Sequence, residues 1–143
     1  MSRSGYAFDL DNWDLIRYRG AVKSALRGRR GQRMLRDLVD ALDALPRKRL
    51  IEHDFVRPDG EVCALGALAN ARGIPMMGPA FDKENEWSAG ALLGRVFDIA
   101  DSLANEVMFE NDERCFRSET PEERWKRMRE WAVSHLRAEE KGR

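Results

Sequence analysis

Between Arg33 and Pro46, the apolar residues Leu35, Leu38, Val39, Leu42 and Leu45 recur at steps of three and four, and a proline closes the run. Successive strand side chains alternate between faces, so no strand can use that spacing. On an α-helix the same steps bring every apolar side chain onto one face. The residue before a proline is pushed out of the helical region, which ends the element at or before Leu45. A chain holding such a helix must bury its stripe, so the rest of the sequence has to supply partners for it.

Upstream, Asp11 or Asn12 can cap a first helix whose buried stripe is Leu15, Tyr18, Val22, Ala25 and Leu26. Gly28 and Gly31 bracket Arg29-Arg30 and predict a tight basic turn between the two helices. Downstream, the runs 50–56 and 61–64 flank Arg57-Pro58-Asp59-Gly60, where proline pre-sets φ and glycine accepts a positive φ, so a short hairpin is expected. The small residues from Cys63 to Ala69 read as a packed helix that stops at Gly73. Residues 74–87, with Pro75, Gly78 and Pro79, read as the longest irregular loop. Ser88 can cap a region striped by Val96, Ile99, Leu103 and Val107, which Gly94 is expected to divide. Thr120-Pro121-Glu122-Glu123 announces the last helix: threonine at N-cap, proline at N1 and glutamate at N3. Its stripe is Trp125, Met128, Ala132 and Leu136. The pattern therefore predicts a mainly α (α+β) fold. Five to six helices and one short two-stranded β-hairpin form a single globular domain over 11–140, after a flexible arm at 1–10.

Composition excludes several classes. A chain of 143 residues with 43% hydrophobic and 35% charged residues is globular. No apolar run approaches the roughly 20 residues a bilayer demands, and the acidic start (Asp9, Asp11, Asp14) lacks the core of a signal peptide. Cys63 and Cys115 are too few for a disulfide framework and match no zinc spacing, so a reducing cytoplasm is expected. The zero net charge conceals a segregation. Residues 15–36 hold eight Lys or Arg and no acid, whereas residues 51–113 hold thirteen acids against four bases. Such asymmetry marks a binding face, or lets two parts of one fold attract each other.

The run Gly60-Glu61-Val62-Cys63-Ala64-Leu65-Gly66-Ala67-Leu68, the later Asn111-Asp112, and the helix opening Thr120-Pro121-Glu122-Glu123-Arg124-Trp125 resemble an uncharacterised family of small phage and prophage proteins. Ser2-Arg3-Ser4-Gly5-Tyr6 and Arg19-Gly20-Ala21-Val22 add to the likeness. The resemblance implies a phage or prophage context inside a bacterial host cell, and it carries over no catalytic residue.

Candidate chemistry is sparse. Cys63 lies among Val62, Ala64 and Leu65, which favours a packed thiol over a nucleophile. His53 and His135 have no second ligand at helical spacing. Glu106, Glu110, Asn111, Asp112 and Glu113 lack the alternating ligands of a calcium loop and suit the chain's own arginines better. No phosphate loop, dinucleotide fingerprint or nucleophile elbow occurs, so neither catalysis, nor a cofactor, nor a metal is expected. Two surfaces are candidates for binding. One is basic: Arg19, Lys23, Arg27, Arg29 and Arg30. The other is the apolar loop with Met76, Met77, Phe81 and Trp87, anchors of the kind that dominate protein interfaces. The expectation is a non-catalytic protein that binds another protein, one form of which would be inhibition of a host defence complex. The alternative is nucleic-acid binding through a helix-turn-helix-like segment at 15–36. Asp37, Asp40 and Asp43 on the second helix and a pI near 6.8 weigh against that alternative.

Overall fold

The computed structural model describes residues 12–76, 89–113 and 118–138. Its helices are α1 (Asn12–Arg27), α2 (Arg29–Ala44), α3 (Ala64–Arg72), α4 (Ala89–Phe97), α5 (Asp101–Asp112) and α6 (Pro121–Ser134). Of the stripe that dominated the sequence, Leu35, Leu38 and Leu42 are buried and Val39 and Leu45 partly buried, with Met34 and Ala41 buried beside them, and α2 packs on α1, α3 and α6. The second hub is α5, which packs on α4, α1, α3 and α6. One hydrophobic cluster draws residues from all six helices, including Val22, Leu35, Leu68, Phe97, Val107 and Met128. No described helix is long and apolar enough to cross a membrane.

The expected two-stranded hairpin does not form. An isolated antiparallel bridge joins Val56 to Val62, and the described residues contain no strand. The turn itself closes: the Gly60 N–H donates to the Arg57 carbonyl at 2.9 Å and the Arg57 N–H to Glu61 at 2.8 Å, with Gly60 at φ 88°. Tertiary demands then take over the strand-forming residues. His53 adopts φ 66°, which interrupts extended backbone, and Cys63 is already committed as the N-cap of α3. The Leu50 N–H donates to the Pro121 carbonyl at 3.0 Å, and the Leu50 carbonyl accepts from Arg124 at 2.9 Å.

Two other expectations shift. Gly28 alone separates α1 from α2, so Arg29 and Arg30 belong to the first turn of α2 rather than to a loop. A Cβ on Gly31 would meet the Ala25 carbonyl oxygen at 2.0 Å, so this glycine serves helix contact. The region after Ser88 divides at 98–100, where Asp98 has φ 55°, and not at Gly94. Gly94 sits inside α4 and accepts the Ile99 N–H at 2.9 Å; a Cβ there would strike Ile99 and Asp101. The expected arm at 1–10 and most of the expected loop lie outside the described residues.

Candidate functional site

Along α1, Ile16, Arg19, Lys23 and Arg27 follow one another at steps of three, four and four, so they form a single row. That row flanks the buried Val22 and Leu26 and is itself exposed. Its cations make one wall of a groove of about 730 Å³. Glu106, Phe109 and Glu110 of α5 contribute to the groove, as do Trp131, Ser134, His135, Leu136 and Arg137 at the end of α6. The Tyr18 hydroxyl donates to Glu106 Oε2 at 3.0 Å. Glu110 is buried, with the Arg127 guanidinium 3.9 Å from its carboxylate.

Gln32 holds the far wall in place. Its Nε2 donates to the Leu26 carbonyl at 2.7 Å and to the His135 carbonyl at 2.9 Å, and its Oε1 accepts the Arg137 N–H at 2.9 Å. One buried amide thus ties the end of α1 to the turn after α6. Trp131 and His135 meet edge to face with ring centroids 5.2 Å apart.

Among the described residues, the arginines that hold carboxylates lie outside α1. Arg127 forks onto Glu119 at 2.7 and 2.9 Å, and Arg124 lies 3.4 Å from both Glu119 and Glu52. Arg72 holds Asp37 at 2.8 Å, Arg49 reaches Glu61 at 3.4 Å, and Arg129 forks onto Asp43 at 2.7 and 3.0 Å. That last contact holds the Asp43 carboxyl below its ordinary value, the Arg129 hydrogen bond being the largest cause. Arg19, Lys23, Arg27 and Arg29 form no ion pair with a described residue.

Of the residues singled out by sequence, Arg19, Lys23 and Arg27 come together on the groove. Arg29 opens α2 away from it, and Arg30 lies 3.4 Å from Asp98. Met76, expected as a surface anchor, is only 7% exposed and packs in the core, which corrects that assignment. Met77, Phe81 and Trp87 lie outside the described residues. Cys63 is fully buried, and its Sγ accepts the Gly66 N–H at 3.4 Å. Among the described residues no group of His, Cys, Asp or Glu is arranged to hold a metal ion.

Sequence reasoning missed Phe109, Trp131, His135 and Arg137 as groove residues. Arg137 stands 118 positions from Arg19, and no local signal links the two. The groove supplies positive charge, hydrogen-bond donors and apolar surface side by side, which suits binding of an anionic, partly apolar surface. Compared with models of protein families, with curated proteins and with solved structures, the chain matches none of them.

Proposed function

We propose that this is a non-catalytic protein whose task is to bind another protein along the outer face of α1. One observation carries the reading. The two exposed large hydrophobic side chains among the described residues, Trp13 at 73% and Ile16 at 61%, share α1 with the row of uncommitted cations. Tryptophan is the side chain most often dominant in protein interfaces, and arginine is enriched beside it. The likeness to small prophage proteins supplies the context: an accessory protein acting in the cytoplasm of a bacterial host, with inhibition of a host defence complex as one form of that action.

Nucleic-acid binding through residues 15–36 is the weaker reading. The helix that would have to enter a groove of DNA is α2, whose stripe is buried against three neighbours. Glu106 and Glu110 beside the α1 cations also oppose a continuous polyanion.

The test is recovery of a partner from host lysate on the immobilised protein, with and without nuclease. Trp13→Ala/Ile16→Ala and Arg29→Glu/Arg30→Glu variants are run in parallel. Recovery of one protein that survives nuclease and is lost in the Trp13/Ile16 variant is the expected outcome. Recovery abolished by nuclease and by the arginine variant would establish the nucleic-acid reading instead. Turnover of a small molecule by the purified protein would overturn both.

A further inference from the structure

We infer that the element received by this face is an acidic amphipathic helix of the partner, lying in the groove that α1 forms with α5 and the end of α6 and running parallel to α1. The inference rests on the protein-binding reading and specifies its occupant. A trough between two packed helices is the shape that accepts a third helix, ridge into groove. One helical turn rises about 5.4 Å and four residues about 6 Å. Arg19, Lys23 and Arg27 therefore present cations about 6 Å apart, and carboxylates at i, i+4 and i+8 of a helix alongside repeat at the same interval. Phe109 and Trp131 give the trough apolar surface, which requires an apolar stripe beside the acidic one.

Polarity follows from the ends. Arg27 and Arg137 converge where Gln32 ties α1 to the turn after α6, so positive charge is densest there. The opposite end of the row is apolar, at Ile16 and Trp13. The negative end of a helix dipole favours cations, which puts the partner's C-terminus against Arg27 and Arg137 and its apolar N-terminal turn against Ile16. Discrete carboxylates can avoid Glu106 and Glu110, whereas a phosphate backbone cannot.

The probe is a fluorescein-labelled, end-blocked peptide of about the 16 residues of α1. It carries two leucines in its first turn, and glutamates at i, i+4 and i+8 toward its C-terminus. The competitors are a peptide of equal composition with its glutamates scattered around the helix, and an oligothymidylate of equal length. Anisotropy should show the patterned peptide binding about tenfold tighter than the scattered one, with about tenfold loss in Lys23→Glu. No comparable loss is expected in Arg33→Glu, the same charge change at an exposed site off the groove. Both exposed-site variants should keep the wild-type thermal midpoint, so a loss reports binding and not unfolding. Equal binding of the two peptides, equal losses in the two variants, tighter binding of the oligonucleotide, or no binding at all would overturn the inference. If the peptide fails while recovery of a protein still depends on Trp13 and Ile16, this inference falls and the broader reading stands. If that recovery fails too, both fall.

Discussion

Asn111 shows how much one side chain settles in this fold. Its Oδ1 accepts the Ala64 N–H at the start of α3 at 3.1 Å, and its Nδ2 donates to the Ile51 carbonyl at 3.0 Å and to Asp112 at 2.7 Å. Asp112 in turn accepts the His53 N–H at 3.1 Å. Asn111-Asp112 and the run from Cys63 to Gly66 are therefore two halves of one joint: Cys63 caps α3, and Gly66 lets the Phe55 carbonyl approach. Asn111→Ala leaves buried backbone groups unpaired and should lower stability by roughly 2–4 kcal/mol, read by denaturant titration; a loss below about 1 kcal/mol would show that water replaces the amide. Asp43 gives the pH-dependent case. Its folded-state pKa lies below the unfolded one, so its contribution is present above about pH 3.9 and is lost as pH falls through the folded value. Asp43 and Arg129 are both more than a third exposed, so screening keeps the effect small. The gap in thermal midpoint between wild type and Asp43→Asn should be modest at neutral pH and close on acidification below that window. A gap that widened there would contradict the pairing.

At the scale of elements, what could be read from sequence is what local chemistry decides. Thr120 caps α6 as expected, its Oγ1 accepting the Glu123 N–H at 3.1 Å, with Pro121 in the first turn. The return bond from Glu123 is not made, so half of the expected capping box is present. Thr120→Ala should cost about 1 kcal/mol, or roughly 3–5 °C in thermal midpoint, with Thr120→Ser restoring most of it. An unchanged midpoint would place the start of the helix elsewhere. The α2 stripe was equally readable, because periodicity and a following proline are both local. The hairpin was not. Its residues suit a strand, but Leu50 gives both its backbone groups to α6 and Ile51 gives its carbonyl to α5. Gly94 misled for a related reason: the glycine serves a close approach across the corner between α4 and α5, and the chain turns four residues later at Asp98.

At the scale of the molecule, the separation of charge along the chain has two physical readings, and the ion pairs distinguish them. If α1 attracted the acidic middle, its cations would be paired and their loss would unfold the protein. Instead the paired acids of that stretch are held elsewhere, among them Glu52 and Glu110 by α6, Glu61 by Arg49 and Asp98 by Arg30 of α2, and α1 keeps its charge for the surface. Sequence could show the basic row, because it is periodic, but not its opposite wall, which depends on which helices meet. The two sets of cations should therefore respond differently to removal. Arg127 is mostly buried, and it faces Glu119 and Glu110, whose side chains are 6% and 8% exposed. Arg127→Ala takes from Glu119 the closer of its two arginines and from Glu110 the guanidinium 3.9 Å away, a loss that costs about 3 kcal/mol, or roughly 10 °C in thermal midpoint. Arg19→Ser/Lys23→Ser removes two solvated cations without a described ion-pair partner and should move the midpoint by no more than about 1–2 °C. Raising salt should leave that small difference unchanged, because no attraction within the fold is being screened. A double variant that melted as early as Arg127→Ala, and whose deficit shrank with salt, would show that α1 is bound electrostatically to the rest of the fold and would withdraw the groove from consideration as a binding surface.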